Sequence, residues 1–270
     1  AVPQDFKHLF FVEGGAVAIE NAVKAAFDWK VRLNLARGLK ESIGNSLIYF
    51  DQAFHGRTGY AISLTITADP RKTKFFPRFD WPKVMNPKIT FPLNAENLKR
   101  VVQAESEALE QIEAILSRRE HDVAALVIEP IQSEGGDNHF RAEFHQALRR
   151  IADTHELLLI HDEVQTGVGI TGKMWAHQHF GVVPDIMCFG KKTQVCGMMA
   201  GPRLDQVKDN VFTESLRINS TWGGNLVDMV RCARYLEVIE EEQLVDNARL
   251  IGALLLRGLE DLVSRHPGLA

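Results

Sequence analysis

LLLIHDEVQTGVGITG, residues 157–172, decides how the rest of the chain is read. Leu157 to Ile160 is a run of four apolar residues that reads as a strand buried on both faces, and it leads straight into Asp162 and Glu163 and a glycine-rich turn. Carboxylates at the carboxyl end of such a strand stand where open α/β sheets gather their chemistry. Downstream, PDIMCFGKKTQVCG (184–197) repeats the layout with Lys191 and Lys192 at the strand end. An acid on one strand tip and an amine on another can face one pocket.

Outward from this pair the alternation is regular. LFFVE (9–13) reads as a strand ending at Gly14 and Gly15, followed by a helix with Ala16, Ile19, Val23 and Ala26 on one stripe. SLIYF (46–50) is a further strand, and residues 66–92, rich in Pro, Lys and Phe, read as an extended excursion. A helix over 93–119 carries Val101, Leu109, Ile112 and Leu116, and AALVIEP (124–130) is a strand whose Pro130 blocks a helix at Glu129. Phe144, Leu148 and Ile151 set the helix before Leu157, and DIMCF (185–189) and MMAGPR (198–203) are strands. Leu204 to Asn210 reads as a short helix, and the chain is helical from about Leu226 to Val263 with a break near Asp246. The pattern predicts an α/β fold with a mostly parallel sheet and helices on both faces.

The chain is 270 residues long, enough for one large domain or two smaller ones. Its net charge of −4 argues against nucleic acid or an anionic membrane as the main partner. No apolar run reaches the roughly 18 residues of a transmembrane helix. The 3 cysteines are odd in number and form no CxxC pair, which favours a reduced, cytoplasmic compartment and gives no metal site. A start at Ala1 without methionine and a stop just after a long helix read as a fragment of a longer protein.

Four segments carry further chemistry. GGAVAIENA opens a helix after a strand, where free backbone amides suit one phosphate; it is not GxGxxG, and a tight turn explains it equally well. AFHGRTG (53–59) brings together Phe54, which can stack on a planar ring, and Arg57, which can grip a carboxylate; His55 reads as structural. VIEPIQSEGGD supplies Glu129 and Glu134 near a strand end, one to anchor the sheet and one for a substrate cation. NSTWGGN offers Ser220 and Thr221 to a phosphate or, more ordinarily, to a helix cap. The Asp162 strand also resembles the acidic strand of P-loop nucleotidases, but no GxxxxGK[ST] accompanies it.

In this order, FVEGGAVAIENAVKAA, AFHGRTGY, VIEPIQSEGG, LLIHDEVQTGVGITG, PDIMCFGKK and NSTWGGN resemble the class III (ornithine-type) aminotransferases of fold type I. The resemblance implies a pyridoxal phosphate-binding large domain over 1–225 and, over 226–270, a long helix leading towards a C-terminal small domain. It implies that Lys191 forms a Schiff base with the cofactor and that Lys192 is a solvating neighbour. Asp162 would pair with the ring nitrogen, Val164 and Phe54 would cover the two ring faces, and Gln165 would reach the ring's phenolic oxygen. Gly15 and Ala16 would bind the phosphate, joined by Thr221 from the other subunit of a homodimer. Arg57, with Asn219 and Ser220, would hold the substrate's α-carboxylate, and Glu134 resembles the glutamate that partners a switching arginine. The turn EGGA, the loop KKTQVCG and the segments FDWK and RFDWPKV resemble the branch of the family acting on the terminal amine of L-lysine, with 2-oxoglutarate as acceptor. Branches acting on ornithine, acetylornithine or 4-aminobutyrate are the alternatives, and a non-catalytic nucleotide-binding or structural α/β domain is a third.

Overall fold

Seven strands form one sheet in the order β1-β9-β8-β7-β4-β2-β3. The structure, a computed structural model, describes residues 2–266. In chain order the elements are β1 (His8–Val12), α1 (Gly15–Ala36), β2 (Ser46–Phe50), α2 (Gly59–Ser63), β3 (Lys83–Val84) and α3 (Ala95–Arg118). Then come β4 (Val123–Ile128), the small ribbon β5 (Ile131–Gln132) and β6 (Asn138–His139), α4 (Ala142–Thr154) and β7 (Leu158–Asp162). β8 (Ile186–Phe189), β9 (Cys196–Ala200), α5 (Leu226–Glu241) and α6 (Leu244–Arg265) complete the chain. The pairings β3·β2, β2·β4, β4·β7 and β7·β8 are parallel, and β9 alone runs against its neighbours β8 and β1. The sheet is mostly parallel, as the sequence predicts.

Alternate residues of each strand feed two cores, because side chains of a strand point to opposite faces. Leu47, Tyr49, Val127, Leu158, Ile160 and Ile186 pack with Ile19, Val23, Ala26 and Trp29 of α1. Ile48, Phe50, Leu126, Ile128 and Leu159 pack on the other face with Ile112 of α3 and with Phe144 and Leu148 of α4. Both faces are therefore covered, which is why the strands are near-continuous apolar runs.

Some boundaries shift. The strand expected over 157–160 runs on to Asp162, because His161 and Asp162 keep ladder positions against Met187 and Cys188. On α3 the buried side is Val101, Glu105, Ala108, Ile112 and Leu116; Leu109 is only partly buried. Glu105 can occupy that face because Arg141 grips it with a fork, Nε to Oε1 at 3.0 Å and Nη2 to Oε2 at 2.8 Å. The expected short helix from Leu204 to Asn210 is instead a 3₁₀ turn over Pro202–Gln206. The C-terminal helical run breaks at Gln243, whose φ is 50°, rather than near Asp246. Among the described residues no helix is long and apolar enough to cross a membrane.

Candidate active site

The carboxyl ends of β1, β2, β4, β7 and β8 all border one cavity of about 1290 Å³. Asp162, the last residue of β7, reaches it while remaining buried. One carboxylate oxygen of Asp162 accepts from the Val164 amide at 3.1 Å, and the other lies 2.8 Å from Nδ1 of His55. His55 is itself fixed, its amide donating to Thr65 Oγ1 at 3.0 Å. Burial alone would depress the His55 imidazole, but the Asp162 hydrogen bond and charge, with Glu129 behind, hold it above its ordinary value. Glu129 follows β4 into the same corner and accepts from the Phe54 amide at 2.8 Å. Burial, reinforced by the Asp162 charge, pushes Glu129 up to about 8. Its anchoring of the β2 loop is the sheet-edge role that the sequence offers to one of the two glutamates.

Glu163, one residue further on, does not line the cavity. It is buried and accepts from Thr166 Oγ1 at 3.0 Å, from the Ala176 amide at 2.7 Å, and from the His177 amide at 2.8 Å. It ties the turn after β7 to the segment that follows.

Lys191 comes two residues past the end of β8 and faces the cavity, with its Nζ donating to the side-chain oxygen of Gln165. Its own φ is 52°, a left-handed conformation that costs a lysine energy and is typical of functional turns. Gly190 precedes it because a Cβ there would meet Cys196 Sγ at 2.7 Å. Lys192, expected to be solvating, is half-buried and donates to the Gln165 carbonyl. Burial, with the like charge of Lys191, lowers its amine below the usual lysine range.

A phosphate-sized corner lies at the N-terminus of α1, a 22-residue helix with no side-chain cap and no acid in its first turn. Gly14, Gly15 and Ala16 line the cavity there, with the positive end of the helix dipole facing in. Gly15 is required by packing: a Cβ would lie 2.7 Å from Val164 Cγ1. That contact also places Val164 on one wall of the cavity, while Phe54 contributes to another.

Arg57 lines the cavity and is exposed to it. Glu134 also lines it, and takes hydrogen bonds from Thr67 Oγ1 at 3.0 Å and from Lys72. Lys72 lies 5.6 Å from the Phe54 ring centroid. Lys72 belongs to the excursion over 66–92, where no motif in the sequence marks it. Asn219, Ser220 and Thr221 do not line this chain's cavity. Asn219 and Thr221 are exposed, and Ser220 Oγ accepts from the Gly223 amide at 3.0 Å. Gly223 packs so closely on β1 that a Cβ would lie 2.1 Å from the Phe11 carbonyl oxygen, which fixes this turn beside the sheet.

The residues present fit pyridoxal phosphate. The uncapped helix end with its glycine cradle suits a phosphate, a buried carboxylate suits a protonated ring nitrogen, and a cavity-facing lysine suits an aldehyde. Sheet and site together define a transferase fold of the pyridoxal phosphate-dependent kind. The model of the family described as aminotransferase class-III matches residues 1–269, and the chain belongs to that family. It is 53% identical over 260 residues to an L-lysine-epsilon aminotransferase of Mycobacterium tuberculosis, covering 96% of this chain and 57% of that protein. It is 50% identical to the L-lysine-epsilon aminotransferase of Amycolatopsis lactamdurans, covering 97% and 57%. A solved structure of lysine aminotransferase from M. tuberculosis in the internal aldimine form superimposes with a TM-score of 0.94 at 52% identity, covering 98% of this chain and 60% of that one. The chain thus spans little more than half the length of the relatives it matches.

Proposed function

We propose that the chain is the cofactor-binding part of a pyridoxal phosphate-dependent aminotransferase that moves the terminal amino group of L-lysine to 2-oxoglutarate. The products are 2-aminoadipate 6-semialdehyde and L-glutamate. The observation that carries this reading is the convergence of Asp162, Lys191 and the uncapped start of α1 on one cavity. The similarity to relatives named for the lysine reaction supports the choice of donor.

In this reading the cofactor, when bound, supplies an electron sink that acidifies the substrate carbon bearing the amine. The remaining tasks fall to the chain. Lys191 Nζ would hold the cofactor covalently, and once displaced by the incoming amine would take the proton from the amine-bearing carbon and return it as an acid. Asp162 would keep the ring nitrogen protonated, Gly15 and Ala16 would bind the phosphate, and Phe54 and Val164 would confine the ring between them. Gln165 would bond the ring's phenolic oxygen. Arg57 would hold the α-carboxylate, so that the distant amine rather than the α-amine reaches Lys191. Glu134 would neutralise the cation that a second carboxylate must later occupy; Lys72 now pairs with it.

Thr221, with Asn219 and Ser220, would act across a homodimer interface, a reading supported by their exposure outside this chain's own cavity. Residues 1–225 would form the large domain and 226–270 the start of the path to a small one. The exposed leucines of α6, such as Leu250 and Leu254, support that reading. A reduced, cytoplasmic location fits cysteines that form no disulfide among the described residues.

An amine-donor panel tests the substrate. Glutamate formation from 2-oxoglutarate is expected to be faster with L-lysine than with ornithine, acetylornithine or 4-aminobutyrate. Faster turnover of ornithine would overturn the assignment of lysine.

A further inference from the structure

Resting on the cofactor reading above, we infer that His55 is a positioning residue: it holds the Asp162 side chain in place at the edge of the cavity, so that the ring nitrogen of the cofactor meets a fixed partner. The geometry is specific. His55 has no exposed side-chain surface, Asp162 has 7%, and Nδ1 stands 2.8 Å from Oδ2. The imidazole's Nε2 has no hydrogen-bond partner among the described residues, so Asp162 is the group that the ring serves. Both ends of the contact are pinned, His55 by its amide to Thr65 and Asp162 by the Val164 amide on its other oxygen. The carboxylate therefore cannot swing away, and its remaining lone pairs are those turned towards the cavity.

Buried histidines elsewhere in the molecule meet other surroundings: the rings of His145 and His161 have no hydrogen-bond partner among the described residues, and His177 pairs at 2.9 Å with Glu163, an acid that does not line the cavity. His145, stacked on Phe180 at 4.0 Å, has no acid beside it, and burial drives it down to about 3. His161 lies well below its ordinary value for the same reason. His55 is as deeply buried yet shifts upward, because Asp162 supplies the counter-charge. Glu129, in the same corner, is pushed up to about 8 by burial, with the His55 charge opposing the shift. Consecutive residues thus do different work, with Phe54 turned to the cavity and His55 to the acid behind it.

The test compares wild type, His55→Leu and His55→Asn for equilibrium binding of pyridoxal phosphate and of its 1-deaza analogue, which has carbon in place of the ring nitrogen. His55→Leu is expected to weaken pyridoxal phosphate binding about tenfold, or about 1.4 kcal/mol, while leaving the analogue within twofold of wild type. His55→Asn, which keeps an N–H near the Nδ1 position, is expected to restore most of the loss. Equal weakening of both ligands, or of neither, would overturn the proposal. If His55→Leu does not fold, histidine ¹⁵N NMR of the wild-type protein decides. The His55 ring is expected to carry a proton on Nδ1, in a signal that Asp162→Asn shifts; an Nδ1 without a proton contradicts the proposal. Failure of the wild type to take up pyridoxal phosphate would instead overturn the function proposed above, and the NMR result would still judge His55.

Discussion

Asp162 and Glu163 are neighbours in the chain, yet one faces the cavity beside His55 and the other is buried against His177, whose amide and Nδ1 lie 2.8 and 2.9 Å from its carboxylate. Strand geometry produces this division. Asp162 is the last ladder residue of β7, and Glu163 still donates its amide to the Cys188 carbonyl at 2.9 Å before the chain turns. The pair of acids that the sequence shows together therefore takes two separate positions, one bordering the cavity and one buried in backbone hydrogen bonds.

Glu163→Ala should be a stability mutation. It would leave the buried Ala176 and His177 amides without acceptors, and each such loss costs about 1–3 kcal/mol. We expect about 3 kcal/mol of destabilisation by urea unfolding, with a smaller loss for Glu163→Gln, which keeps one acceptor oxygen. An alanine variant as stable as wild type would show that these bonds contribute nothing net.

Gly56→Ala should disturb the phosphate corner from outside it. Gly56 has a φ of 121°, and a Cβ there would lie 2.4 Å from the Ala16 Cβ. Left-handed strain and a clash with α1's first turn together should cost about 2–4 kcal/mol and weaken phosphate binding. Thermal unfolding and inorganic phosphate titration check both effects; an unchanged melting temperature would contradict the packing described.

Glu129 gives a pH-dependent prediction. Its folded value near 8 lies above the ordinary 4.5, so the folded state holds the proton more tightly than the unfolded chain does. That contribution is intact below about pH 4.5 and is lost as pH rises towards 8. Glu129→Gln imitates the protonated form and can still accept from the Phe54 amide. Relative to wild type, the variant should therefore gain stability between pH 5 and pH 9, on the order of 3 kcal/mol. Parallel stability curves for the two proteins would contradict a raised Glu129.

Much of this was legible because strand ends are. The apolar runs at 46–50 and 185–189 mark β2 and β8, and the residues after them line the cavity. Less visible were contacts that join distant segments. Glu105 looks like a surface acid until Arg141, 36 residues away, is brought against it. Lys72 lies in a stretch without periodicity, and only the fold sets it on Glu134. His55 reads as a hydrogen-bonded structural residue from sequence, and it is buried and hydrogen-bonded; that its partner is the cavity-lining Asp162, 107 residues away, only the fold reveals. The break at Gln243 was missed by a few residues because α6 is apolar where it is also exposed, so its pattern reports no burial.

Lys191, not its neighbour Lys192, is the residue proposed to carry the cofactor. Borohydride reduction of the protein loaded with pyridoxal phosphate, followed by peptide mapping, tests it directly. A single phosphopyridoxyl label is expected on Lys191, absent from Lys191→Ala and retained in Lys192→Ala. A label on Lys192, or none on either lysine, would contradict it.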